Sequence, residues 1–213
     1  SFFLVPMDQP GIEVRPIITL DGEHEVNEVF LTDVRIPAEN IVGEENKGWT
    51  LAKYLLMYER TGIAGVANSK LALDGLKAAS AKMRSNGRPM SEDPLFSARM
   101  AKVDIDLMAM EVFNLRVVAA AGGGAAGGVE SSMLKIKGTE IRQELTDLSR
   151  RVYGPHALPF VPEYFDEGWN EEPVGPAGAM KQARSYFNNR KITIYGGSNE
   201  IQKNIISKAG LGL

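Results

Sequence analysis

The spacing of apolar residues changes character once along these 213 residues, near Gly43, and that change limits the fold more than any other feature of the chain. Before it, Ser1–Val5, Ile12–Ile17 and His24–Ile36 are short runs rich in Val, Ile and Phe. They are parted by the turn signals Asp8-Gln9-Pro10-Gly11 and Asp21-Gly22. These runs read as three strands. Three strands do not easily form an independent sheet with two covered faces, so residues 1–42 are expected to be the end of a larger β domain. The first residues, from Ser1 to Met7, read as the middle of a strand, and the chain is expected to be the C-terminal part of a longer protein.

After Gly43 the pattern is helical. From Gly48 to about Arg84, Leu51, Tyr54, Leu55 and Tyr58 recur at three- and four-residue spacings, with Ile63, Val66, Ala67, Leu71 and Leu76 following, which predicts one long helix. Asn86-Gly87-Arg88-Pro89 ends it. Further helices are predicted from about Pro94 to Ala121, Glu130 to Arg151, Ala177 to Lys191 and Ser198 to Ala209. The run Gly122-Gly123-Gly124-Ala125-Ala126-Gly127-Gly128 reads as a flexible connection; no Lys-Ser/Thr follows it, as a phosphate loop would require. Tyr153 to Pro176, with five prolines, reads as a long irregular excursion. The expected fold is mainly α: a four-helix up-down bundle over residues 43–213, preceded by the remnant of a β domain.

Composition narrows the chemistry. The absence of cysteine excludes thiolate catalysis, Cys-ligated zinc and iron–sulfur clusters, and fits a reducing, cytoplasmic setting. His24 and His156 stand far apart with no metal-ligand spacing, so no metal is expected. A net charge of −3 gives no case for nucleic acid or an anionic membrane surface, and no apolar run is long enough to span a bilayer.

Five stretches, in order, carry a resemblance. They are Phe3-Leu4-Val5-Pro6 with Pro10-Gly11; Phe30-Leu31-Thr32-Asp33-Val34-Arg35-Ile36-Pro37; Asn46-Lys47-Gly48-Trp49; Glu59-Arg60-Thr61-Gly62-Ile63-Ala64; and Ile194-Tyr195-Gly196-Gly197-Ser198-Asn199-Glu200-Ile201-Gln202 with Asn204-Ile205-Ile206. Together they resemble the acyl-CoA dehydrogenase family. The resemblance implies three domains, of which this chain would supply the end of the middle β domain and the whole C-terminal bundle. It also implies a reaction: a carboxylate takes the α-proton of an acyl-CoA thioester while the β-hydrogen leaves as hydride to FAD.

Many members carry the base in a Tyr-Glu-Gly-Thr stretch, which here reads Tyr195-Gly196-Gly197-Ser198 and lacks the glutamate. Others place it on the first bundle helix in a Glu-Arg pair, present here as Glu59-Arg60. On periodicity alone Glu59 is an ordinary solvated helix residue; the resemblance makes it the base. By the same resemblance Met57, Tyr58, Arg60 and Gly197 meet the substrate, and Arg151, Gly154, Ser198, Asn199 and Glu200 meet FAD. Without the resemblance, Arg60 is a helix-surface charge and Ser198 a helix cap.

Two departures stand out. The family's arginine before Phe-Gly falls on Met83, with Arg84 beside it, and the Gln-x-x-Gly-Gly-x-Gly stretch falls on Arg151-Val152-Tyr153-Gly154-Pro155-His156-Ala157, where one glycine remains and Pro155 removes an N–H. This pattern is similar to large subunits of bacterial heteromeric acyl-CoA dehydrogenases. The implied partners are an acyl-CoA, other subunits of a dimer or tetramer, among them a second dehydrogenase subunit, and electron-transfer flavoprotein by family analogy. Two functions stay open: a dehydrogenase subunit acting on a bulky, branched, dicarboxylic or steroid-side-chain acyl group, and a non-catalytic subunit supporting another subunit's flavin site.

Overall fold

The computed structural model describes residues 1–122 and 128–213, without the side chains of residues 56–61, 63, 121 and 122. The glycine-rich connection expected at Gly122 to Gly128 therefore lies mostly outside the described residues. The chain divides into two compact units, Ser1–Glu59 and Arg60–Leu213.

In the first unit, β1 (Ile12–Ile18) and β2 (His24–Leu31) form an antiparallel ribbon, registered from Ile12 opposite Leu31 to Ile17 opposite Val26. The connecting turn closes through Thr19 N–H to Glu23 O at 2.8 Å, with Gly22 at φ 81. Val14, Val26, Val29 and Phe30 remain exposed, as expected of a ribbon with uncovered faces. The expected strand Ser1–Val5 is reduced to a single bridge, Phe3 to Ile41, because only Phe2 O and Leu4 N–H find backbone partners, at Val42 and Asn40. β2 ends at Leu31 rather than Ile36, since Asp33, at φ 50, turns the chain out of the ladder.

The helix expected from Gly48 to Arg84 is two: α1 (Gly48–Ile63) and α2 (Val66–Lys82). Gly65 separates them at φ 59, a left-handed conformation that ends a helix and that glycine adopts without steric cost. A short hairpin, β3 (Arg84–Ser85) with β4 (Arg88–Pro89), leads to α3 (Pro94–Gly122). Asp93 Oδ1 accepts the Phe96 N–H at 2.8 Å and Pro94 takes the first helical position, an arrangement that fixes where α3 begins. α4 (Val129–Tyr153) stops at Gly154, which sits at φ 53 just before Pro155.

Ion pairs show the order of the bundle. Lys70 and Lys77 of α2 meet Glu111 and Asp104 of α3; Arg99 and Asp106 of α3 meet Asp147 and Lys137 of α4. Ascending numbers on one helix face descending numbers on the next, so neighbours are antiparallel. Leu73, Leu76, Phe96, Val103, Leu107, Met110, Leu134, Ile141, Leu145, Leu148 and Val152 form the core. On α4 the buried positions 134, 138, 141, 145, 148 and 152 recur every three or four residues, the stripe a buried helix face requires. Burying each large apolar side chain contributes about 1.5–3 kcal/mol relative to exposure.

The fourth place in the bundle is filled by short pieces packed on α4: α5 (Lys181–Asn188) and α6 (Asn199–Ile205), the latter continuing as a wide π-helical turn to Leu211. The helix expected from Ala177 begins at Lys181 because residues 176–182 are taken up by turns, Pro176 O to Ala179 N–H and Ala179 O to Gln182 N–H. Tyr153–Pro176 is irregular, with single 3-10 turns at Gly154–Ala157 and Pro162–Phe165.

Candidate active site

Met57, Tyr58, Glu59 and Arg60 lie in the last two turns of α1, and their side chains are outside the described residues. The second part of the expected site is fully described. It is the exposed turn from Ile194 to Ser198, which leads into α6. Gly196 and Gly197 stand at φ 65 and 79, conformations that side-chain-bearing residues rarely adopt. Ser198 caps α6, its Oγ accepting the Ile201 N–H at 3.4 Å. The Glu200 carboxyl is exposed, and its own backbone amide and the Ser198 hydroxyl hold it below the ordinary carboxylate range.

The turn is clasped from within. Gln202, 1 % exposed, donates from Nε2 to the carbonyls of Gly196 at 3.1 Å and Gly197 at 3.4 Å. Asn199, 7 % exposed, turns its side chain inward, where its Oδ1 accepts from Lys135 Nζ at 2.8 Å and from Thr139 Oγ1 at 3.3 Å. The Lys135 ammonium also donates to Thr193 O at 3.2 Å and has no exposed surface. Burial pushes the Lys135 pKa down. One helical repeat further on, Gln143 Nε2 donates to the carbonyls of Asn189 at 3.0 Å and Arg190 at 3.3 Å. Lys135, Thr139 and Gln143 stand four residues apart, so they share one face of α4 and form a polar seam against residues 189–199.

Arg151 and Gly154 lie elsewhere. Lys135 and Arg151 are 151 − 135 = 16 residues apart on α4, about 24 Å along its axis. Arg151 donates from Nε to Asp147 Oδ2 at 2.7 Å; Arg99 reaches the same oxygen at 2.9 Å and Arg150 reaches Oδ1 at 2.9 Å. Burial alone would raise the Asp147 pKa, but hydrogen bonds from Arg151, Arg99 and Arg150 outweigh it and hold the carboxyl well below the usual range. Arg99 also binds Glu144, at 2.8 Å. Arg99, Arg150, Arg151 and Gly154 line a cleft of about 600 Å³ together with Asp93, and Leu95, Phe96 and Leu158 form its apolar side. Asp93, Glu144 and Asp147 balance the three guanidiniums, so the cleft carries no net charge. Among the described residues Arg150 Nε is buried with no hydrogen-bond partner, and its guanidinium lies over the Tyr186 ring. Met83 packs on the core, and Arg84 folds back to donate to Gly87 O at 2.8 Å.

The sequence pointed to the turn but not to what holds it. Lys135, Thr139, Gln143 and Gln202 carry no motif of their own; Lys135, Thr139 and Gln143 run beside the apolar stripe of α4, and their shared four-residue spacing is the one signal of the seam. Among the described residues there is no cluster of three or more potential metal ligands, and no helix is long and apolar enough to cross a membrane.

Residues 46–211 match the family model for the acyl-CoA dehydrogenase C-terminal domain. The chain is similar to acyl-CoA dehydrogenase IpdE1 of Mycobacterium tuberculosis, at 32 % identity over 213 residues, covering 100 % of this chain and 50 % of the relative. The IpdE1 of Mycolicibacterium smegmatis is 33 % identical over 214 residues, covering 100 % and 49 %. A chain of the ChsE4-ChsE5 complex from Mycobacterium tuberculosis shares the fold with a TM-score of 0.79 at 25 % identity, covering 99 % of this chain and 52 % of that one. This chain thus spans about half the length of the curated relatives it matches. With the bundle, the glycine turn and the length-wide match in agreement, the chain belongs to the acyl-CoA dehydrogenase family, whose C-terminal domain it carries.

Proposed function

We infer that this chain is the C-terminal part of an FAD-dependent acyl-CoA dehydrogenase that converts an acyl-CoA thioester to the trans-2-enoyl-CoA, with Glu59 as the base. The observation that carries this reading is Gly196. It occupies the exposed turn at φ 65, where it offers no carboxylate, while Glu59 stands on α1 within the matched residues 46–211. Residues 1–42 serve as the end of the middle β domain and 43–213 as the helical domain.

In the reaction the Glu59 carboxylate takes the α-proton, and the electron pair of that C–H bond becomes the new C=C bond as the β-hydrogen departs. FAD, when bound, accepts that hydrogen with its electron pair. By the family resemblance, Met57, Tyr58, Arg60 and Gly197 bind the acyl-CoA, and proton transfer asks for reacting atoms within about 3–3.5 Å of one another.

The residues present fit FAD. Arg151 and Gly154 lie at the arginine-lined cleft, and Ser198, Asn199 and Glu200 lie at the glycine turn. Asn199 contributes through the turn it anchors, its side chain being committed to Lys135 and Thr139. By family analogy the cofactor is held between subunits, and electron-transfer flavoprotein serves as the electron acceptor. The test is enoyl-CoA formation by the full-length protein, alone and with a second dehydrogenase subunit. Turnover in either case supports the reading; none with short, branched or steroid-side-chain thioesters opposes it.

A further inference from the structure

Lys135 is the largest fully buried side chain among the described residues, and among them its ammonium forms no ion pair with a carboxylate, Glu200 attracting it without direct contact. A buried, unpaired ammonium is strongly unfavourable, and a helix that needed only packing would carry leucine or methionine there. What the charge does make is two hydrogen bonds, and they fall on the two ends of one segment: Thr193 O before the glycine turn and Asn199 Oδ1 after it. Thr139 holds the same Asn199 side chain from the next turn of α4. Gln202 fixes the middle through the Gly196 and Gly197 carbonyls. Two consecutive glycines at positive φ have little conformational preference of their own, so the shape of the turn depends on these anchors.

We propose that Lys135 is a positioning residue: its ammonium, through Thr193 and Asn199, sets the conformation of the Gly196–Gly197 turn against which substrate and flavin are held. The proposal rests on the functional reading above, since that reading is what places ligands at the turn. A role in stability alone makes a different forecast. Replacing an ammonium by an apolar isostere in a packed site is often neutral or stabilising, so if the lysine has no positioning role its replacement leaves the turn and the rate unchanged, whatever it does to the melting temperature.

The experiment uses the full-length protein with any subunit it requires, and two variants: Lys135→Met, which keeps the stem and removes the charge, and Asn199→Ala, which removes the acceptor and keeps the lysine. In either folded variant, amide hydrogen exchange in a peptide spanning residues 194–202 is expected to rise about tenfold while peptides of α3 are unchanged. Single-turnover flavin reduction by an acyl-CoA is expected to slow by about 10- to 100-fold with substrate affinity little changed, as misplacement of a reacting group produces. Unchanged exchange at 194–202 overturns the anchoring, whatever the rate does. Raised exchange at an unaltered reduction rate overturns the positioning role. A wild-type protein whose flavin no acyl-CoA reduces removes the functional reading and with it the ligand side of the proposal, and the exchange measurement tells that outcome apart from a failed anchor.

Discussion

Gly138 is the point where α4 comes nearest to the break between α1 and α2, and its substitution gives a sharp test of the packing. A Cβ at Gly138 would stand 2.5 Å from Ala64 O, 2.9 Å from Ala64 Cα and 3.1 Å from its carbonyl carbon, where ordinary contact begins at 3.4 Å. The shift needed is 3.4 − 2.5 = 0.9 Å, and it must be made by backbone, since Ala64 is 1 % exposed with no flexible tip to move. Overpacking of this kind costs about 1–3 kcal/mol, while alanine in place of glycine within a helix returns up to about 1 kcal/mol. With a rigid neighbour the upper part of the range applies, so Gly138→Ala is expected to destabilise by about 1–2 kcal/mol. Gly75 on α2 is the control: a Cβ there meets nothing within 4 Å. Gly75→Ala is expected to stabilise by about 0.5–1 kcal/mol. At about 2–4 °C per kcal/mol for a chain of this size, Gly138→Ala should melt about 2–8 °C below wild type and Gly75→Ala about 1–4 °C above it by calorimetry or circular dichroism. Equal stabilisation by both substitutions would refute the close approach of α4 to Ala64.

Gly197→Ala combines a left-handed backbone, φ 79, with a Cβ 2.5 Å from Gln202 Nε2. It should lower stability by about 1–2 kcal/mol and release the Gln202 clasp; an unchanged melt with unchanged exchange at residues 194–202 would contradict this. Asp147 tests the arginine cluster through pH. Its pKa is lowered in the folded chain, so its stabilising effect is complete above about pH 4 and is lost as the pH falls toward the native-state value. Asp147→Asn should therefore reduce stability at pH 7 and cost progressively less below about pH 4 in urea melts. A difference that stays constant across that range would show that the three arginines do not depend on the carboxylate.

Much of the bundle was legible in the sequence because its helices are bounded by residues with strong local effects. Asp93 and Pro94 start α3 and Gly154 with Pro155 stop α4, each within two residues of expectation. The break at Gly65 was not legible from apolar spacing, which runs through it without a proline; the left-handed Gly65 ends α1, and the neighbouring Ala64 backbone lies close against Gly138. The strand expected at Ser1–Val5 has the right residues, but one bridge to Ile41 is all the ladder the described residues give it. At the site, the glycine turn was visible from Gly196-Gly197-Ser198. Its anchors were not, because Lys135, Thr139 and Gln143 look like solvated helix residues until their four-residue spacing is set against residues 189–199. The division between Glu59 and Gly196 came from resemblance rather than from pattern, since a glutamate on a helix carries no periodic signature of catalysis.

The proposed reaction turns on one carboxylate. Glu59→Gln in the full-length protein preserves the side chain's size and hydrogen-bonding capacity but cannot accept a proton. Stopped-flow bleaching of the flavin by an acyl-CoA substrate should then slow by at least about 10²–10⁴-fold, with acyl-CoA binding little changed. Bleaching at the wild-type rate would remove Glu59 from the reaction and contradict its assignment as the base.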